Sequence, residues 1–161
     1  MTTEATMPEA PAGKTSRGLR MSRTFAAPRE LIFEAFTQEQ HLLKWWGPRD
    51  YPVAEFSSDP RPGGAFNMCM VGPNGEQARA MGEYEELTPP ERIVTRTWIE
   101  HEGRKIYESR CTVTLKEHAG YTRLVVQTEV LFDDNFPGAA GAEEGWGQTL
   151  DKLGEYLVSV R

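Results

Sequence analysis

Cysteine is scarce in this chain of 161 residues: there are two, Cys69 and Cys111, too few for a disulfide framework. Histidine is nearly as rare. His41, His101 and His118 are scattered, and no Cys or His pair has the spacing of a zinc site, so no metal is expected. No apolar run approaches the ~20 residues of a bilayer span. The first 16 residues lack the apolar stretch of a secretory signal. Positive charge is in deficit, with 18 Lys and Arg against 24 Asp and Glu, for a net charge of -6. That balance argues against a nucleic-acid partner, which needs basic surface to neutralise phosphates, and against docking on anionic lipid. The nucleophile motif G-x-S-x-G does not occur. Gly138, Gly141 and Gly145 hint at a phosphate loop, but Glu143 and Glu144 lie among them and no Lys-Ser/Thr follows, so a phosphate would be repelled. What is left is a cytoplasmic domain with no membrane or nucleic-acid partner, no cofactor and no assigned catalytic residue.

Hydrophobic residues make up 39% of the chain, and the length suits one domain with a single core. Residues 1–16 are rich in Pro, Ala, Thr and Glu without an apolar period and read as a disordered tail; residues 17–161 form the domain. The acidity is concentrated at the end of the chain: residues 133–161 hold six acids and two bases, whereas residues 17–132 hold 16 and 15.

Leu19, Met21 and Phe25 share a parity and predict a first strand, interrupted by Arg23. Pro28 suits the first turn of a helix, with Leu31, Ile32, Ala35 and Phe36 at helical spacing. Thr37 and Gln40 have capping-box spacing, which predicts a second short helix starting at Thr37 with Leu42, Trp45 and Trp46 as its buried stripe. Gly47-Pro48 ends it. Six runs of strand character follow: Tyr51–Ser57, the Phe66-Met68-Met70 row, Ala78–Leu87 with Gly82 as an expected bulge, Ile93–Ile99, the Tyr107-Cys111-Val113-Leu115 row and the Leu124-Val126-Val130-Phe132 row. The short turns between them imply an antiparallel meander. Trp146, Leu150, Leu153, Leu157 and Val160 then recur at helical spacing and predict a long closing helix, whose Gly145, Gly147 and Gly154 require packing to hold it. The loop at 133–145, with Gly138–Gly141 small throughout, is expected to be a mobile lid or mouth.

Five motifs occur in order: R-x-F-x-A-P-R-E at Arg23–Glu30, T-x-x-x-x-L-x-x-W-W-G-P at Thr37–Pro48, R-P-G-G at Arg61–Gly64, G-x-Y-x-E-L-x-P-P-E-R at Gly82–Arg92 and the terminal W-x-x-x-L-x-x-L. Together they resemble the bacterial homologues of the C-terminal domain of the heat-shock-chaperone ATPase activator, within the START-related, birch-pollen-allergen-like superfamily. The resemblance covers about residues 17–161. It implies an α+β helix-grip fold: a curved antiparallel sheet of about seven strands around a long C-terminal helix, with two short helices after the first strand. It also implies a cavity for a bulky, mainly apolar small molecule, lipid-like or polyketide-like.

Candidate ligand-binding residues follow from where that cavity would lie. Adjacent residues on a helix point ~100° apart, so one of Trp45 and Trp46 packs into the core while the other lines a cavity mouth or covers the sheet edge. Phe66, Met68 and Met70 line the concave face or fill core, methionine serving both uses. Tyr84, Trp146, Leu150 and Leu153 complete the set. Arg23 is either a polar anchor in the cavity or a strand-end residue reaching out to water. Cys111 is read as a small buried hydrophobe.

Relatives in the superfamily also imply other functions. A polyketide cyclase or aromatase would need a cavity-facing acid, base or oxyanion donor, for which Arg23, Tyr84 and Tyr107 are candidates. A chaperone partner is disfavoured, since the eukaryotic activator has an additional N-terminal domain not found in these 161 residues. Self-sacrifice, in which a reactive antibiotic such as an enediyne is captured and cleaves the protein, would act at a glycine, and the sequence does not mark which of its 15.

Overall fold

The alternation in the middle of the sequence becomes a seven-stranded sheet. The computed structural model describes residues 10–136 and 142–160. Strand β1 (Lys14–Phe25) leads into helices α1 (Arg29–Thr37) and α2 (Glu39–Trp45). The meander follows: β2 (Val53–Ser58), β3 (Ala65–Val71), β4 (Gln77–Thr88), β5 (Arg92–His101), β6 (Arg104–His118) and β7 (Tyr121–Asp133). Helix α3 (Ala142–Ser159) follows in turn. The spatial order is β1-β7-β6-β5-β4-β3-β2, with every neighbour antiparallel. The sheet curves around α3, and α1 and α2 close one end: this is the helix-grip fold.

Period two explains the faces. Leu115, Leu124 and Val126 point to the helical side and are at most 1% exposed. On α3, Leu150, Leu153 and Leu157 meet them, joined by Ile32, Phe36, Leu42 and Trp45 from the short helices. Each such side chain contributes roughly 1.5–3 kcal/mol on full burial. Phe66, Met68, Ala80 and Tyr84 form a second cluster with Val53 toward the β2 edge.

Several local expectations need correction. β1 begins at Lys14, not near Arg17, because Lys14 and Thr15 pair with Asp133 and Phe132 of β7; residues 1–9 of the expected tail lie outside the described residues. Pro28 sits just before the first helical residue, its carbonyl accepting from Leu31 and Ile32. Thr37 does not cap a second helix. It ends α1, its hydroxyl donating back to the Phe33 carbonyl at 2.9 Å, and α2 starts after Gln38. Trp46 lies beyond α2 in extended backbone, so the α2 stripe is Leu42 and Trp45 alone. Tyr51 turns back to the Pro48 carbonyl, so β2 starts at Val53. The β4 irregularity falls between Tyr84 and Glu86. Gly82 instead makes room for its neighbours, since a Cβ there would collide with the Phe66 ring and the Arg96 carbonyl. Val160 follows the end of α3 and is 37% exposed. The expected lid at 133–145 is replaced at its ends by β7 and α3, and residues 137–141 lie outside the described residues.

The α3 glycines set how closely the helix approaches. Gly154 faces the Phe25 ring. Gly147 faces Met21 and Arg23, whose nearest atoms would stand 3.8 Å from a methyl group added at that position, an ordinary contact. Gly147→Ala is therefore expected to stabilise the domain by about 0.5–1 kcal/mol through helix propensity, while Gly82→Ala should destabilise it by about 1–3 kcal/mol through overpacking. Denaturant titration of both variants checks the opposite signs.

Candidate functional site

A curved sheet cannot touch a straight helix along its whole length. Contact is tight over the C-terminal half of α3, where the leucines are. Toward its N-terminus the helix offers Gly145, Trp146 and Thr149, and the facing strands offer Ala80, Thr95, Thr97, Ser109 and Thr128. The strand side chains here are too small to fill the gap. A cavity of about 270 Å³ results, with Gly47 and Pro48 also in its lining.

Aromatic residues build one wall. Trp45 is fully buried, its indole N–H donating to the Ala35 carbonyl at 2.9 Å. It packs edge-on against Phe36 (4.9 Å between ring centres) and Trp46 (5.3 Å), and Trp46 in turn meets Trp146 of α3 at 5.5 Å and 89°. Such edge-to-face pairs are favoured by the ring quadrupoles. The row links solid core to cavity wall. Gly47 takes a φ of +93°, which carries the chain sharply away from Trp46. The Lys152 ammonium fixes this corner, donating to the carbonyls of Gly47 (3.0 Å) and Trp46 (3.4 Å). Partial burial and the neighbouring Arg49 charge lower its pKa, against the pull of Glu155. Across the cavity, Phe136 stacks on Tyr107 at 5.4 Å. The Arg104 guanidinium grips the nearby Asp133 carboxylate with two hydrogen bonds (3.1 and 2.6 Å) and holds its pKa below the usual range.

The expected site residues separate into three groups. Trp46, Met68, Met70 and Trp146 line the cavity. Phe66 and Tyr84 sit deeper, beside a void of about 50 Å³ that shares Trp46, Met68 and Cys111 with the main cavity; Phe66 also stacks on Phe56 at 6.0 Å. Trp45, Leu150 and Leu153 are solid core, all at 0% exposure. Arg23 lies apart from the cavity wall, its guanidinium 3.4 Å from Asp151 on the outer side of α3. The side chain on that parity reaches past the glycine at 147 and out to water, so no polar anchor is formed there.

Sequence reasoning missed the wall's hydroxyls. Thr95 and Thr97 share the parity of Ile93, Ser109 that of Tyr107 and Cys111, and Thr128 that of Val126 and Val130. A small hydroxyl residue breaking an apolar row is the signal that points to them. Cys111 also lines the cavity, and burial pushes its thiol up to about 12. Burial likewise raises the Tyr107 phenol, opposed by its hydrogen bond with Ser109. Both groups are therefore protonated at neutral pH, leaving no thiolate nucleophile and no phenolate base. Among the described residues, no group of three or more His, Cys, Asp or Glu could hold a metal ion, and no helix is long and apolar enough to cross a membrane.

Residues 26–158 match the family described as Activator of Hsp90 ATPase homolog 1-like protein. The chain belongs to this family. Solved structures agree with the fold. A protein of Rhizobium leguminosarum is 21% identical, with a TM-score of 0.79 over 91% of this chain and 97% of that one. One of Chromobacterium violaceum is 27% identical (TM-score 0.76, 87% and 96% covered). The AHSA1 protein of Silicibacter pomeroyi is 26% identical (TM-score 0.73, 90% and 100% covered). No curated protein matches.

The raised Cys111 thiol has a pH signature. In the unfolded chain it ionises in the ordinary thiol range, whereas in the native protein it stays protonated until about pH 12. Its contribution to stability is thus complete below the ordinary thiol pKa and is lost as pH rises toward 12. In a Cys69→Ala background, ultraviolet thiolate absorbance at about pH 10 should be absent from the native protein and appear on unfolding.

Proposed function

We propose that this family member is a binding protein for a bulky, mainly apolar small molecule, held between the sheet and α3. The observation that carries this reading is the cavity of about 270 Å³ walled by Trp46, Met68, Met70, Ile99, Phe136 and Trp146. Its volume is close to the usual lower bound for small-molecule pockets, ~300 Å³. Methionine walls adapt to several ligand shapes, and apolar contact is non-directional, which supports tolerance over strict selection. Binding without turnover is supported by the wall's chemistry. Among the described lining residues the titratable groups are Tyr107 and Cys111, both protonated, and general acid-base catalysis works best with a group poised near the working pH.

The family's description supports a second reading, contact with a chaperone of the Hsp90 type. Stimulation of such an ATPase by the purified protein, unaffected by cavity substitutions, would favour it over ligand carriage.

Titration with the neutral dye N-phenyl-1-naphthylamine tests the first reading. Saturable fluorescence enhancement is expected, with Met68→Ala or Met70→Ala weakening binding by about 1–2 kcal/mol through lost apolar contact. Arg23→Ala should leave affinity unchanged, because that side chain is engaged with Asp151. No saturable binding, or the reverse order of effects, would sink the proposal.

A further inference from the structure

Among the described residues of the cavity lining, one buried side-chain oxygen has no hydrogen-bond partner in the fold. Thr128 stands in the inward row of β7 between Val126 and Val130, is 3% exposed, and its Oγ1 has no hydrogen-bond partner. It is also part of the cavity lining. Valine has the same shape and would fill the position without a buried hydroxyl, whose unsatisfied burial costs on the order of 1–3 kcal/mol. By contrast, the three other buried threonines among the described residues are spent internally: Thr37 donates to the Phe33 carbonyl at 2.9 Å, Thr122 to the Ala27 carbonyl at 2.7 Å and Thr149 to the Gly145 carbonyl at 2.8 Å. Thr128 therefore differs from its counterparts in having its hydrogen-bonding capacity free.

We infer that Thr128 donates a hydrogen bond to a carbonyl oxygen of an uncharged ligand, so that the cavity selects neutral, oxygen-bearing apolar molecules over both pure hydrocarbons and carboxylates. This rests on the small-molecule reading above and adds the chemical class. Position supports it: the residues directly across from Thr128 are Cys111 on β6 and Leu19 on β1, and neither supplies its hydroxyl with a partner. Charge supports it as well. None of the described residues lining the cavity is an acid, a lysine, an arginine or a histidine, and a buried carboxylate without a cationic partner is strongly disfavoured. A ketone needs only a single neutral donor, which the Thr128 hydroxyl can supply.

Three probes of one skeleton separate these terms: 2-acetylnaphthalene, 2-isopropenylnaphthalene, in which CH₂ replaces the oxygen, and 2-naphthoate. Equilibrium dialysis against the wild-type protein should give the ketone an affinity about threefold to tenfold above the alkene, the range of a neutral hydrogen bond, and the naphthoate at least about a hundredfold below the ketone. Thr128→Val should abolish the ketone's advantage and leave the alkene unchanged. Thr128→Ser, which keeps the hydroxyl, should retain it. Equal ketone and alkene affinities in the wild-type protein, or an advantage that survives Thr128→Val, would overturn the assignment of Thr128 while leaving the small-molecule reading standing. Naphthoate binding as tightly as the ketone would overturn the selection against charge. Failure of all three probes to bind a protein with native circular dichroism would overturn the small-molecule reading and this assignment with it.

Discussion

Everything in this domain depends on how a curved sheet meets a straight helix. Along α3 the contact is closed where Leu150, Leu153 and Leu157 press against Val113, Leu115, Leu124 and Val126. It opens where Trp146 and Thr149 face threonine, serine and alanine. Curvature makes a gap unavoidable somewhere; side-chain volume decides at which end it lies. Close packing in the leucine half supplies the stability that lets the other half stay unfilled, since a void forfeits the dispersion contacts of its lining.

The open end is kept in shape by polar contacts at its margin. Lys152 ties α3 to the Trp46-Gly47 corner through two carbonyls, so the indole that walls the cavity is held from the helix it faces. Arg104 and Asp133 fasten β6 to the end of β7 on the opposite side, next to Phe136. On the far face of the sheet, the Arg79–Glu55 pair bridges over Cys69, which is 2% exposed although it points away from the core. Surface pairs of this kind contribute little stability individually; here their effect is to fix position.

The chemistry inside is defined by neutrality. Burial keeps the Cys111 thiol and the Tyr107 phenol protonated, and the charged side chains named above act at the rim or outside it. A wall of thioether, indole, methyl and hydroxyl groups can hold and orient an uncharged guest. Among the described lining residues it offers no group that changes protonation near neutral pH. Fold membership alone underdetermines function: the small residues on one half of the strands, not the grip itself, set the size and polarity of this cavity.

Period two and period 3.6 in the sequence by themselves determined the seven strands, the two short helices and the long final helix, because local alternation reports directly which face of an element is buried. They also separated Met68 from Cys69 and marked the α3 stripe. Boundaries set by pairing or by a single hydrogen bond escaped them: Lys14 is strand because β7 lies beside it, and Thr37 ends a helix because its hydroxyl turns back to Phe33. Parity places a residue on a face, but only the tertiary structure decides whether that face meets a helix or a void. Leu150 and Trp146 belong to one helical stripe, yet one is core and the other is cavity wall. Arg23 interrupts the first strand and Thr128 the last. The first runs out to an acid at the surface and the second stays in the cavity lining, because a long guanidinium side chain reaches past Gly147 to Asp151 whereas a threonine is too short to leave its row.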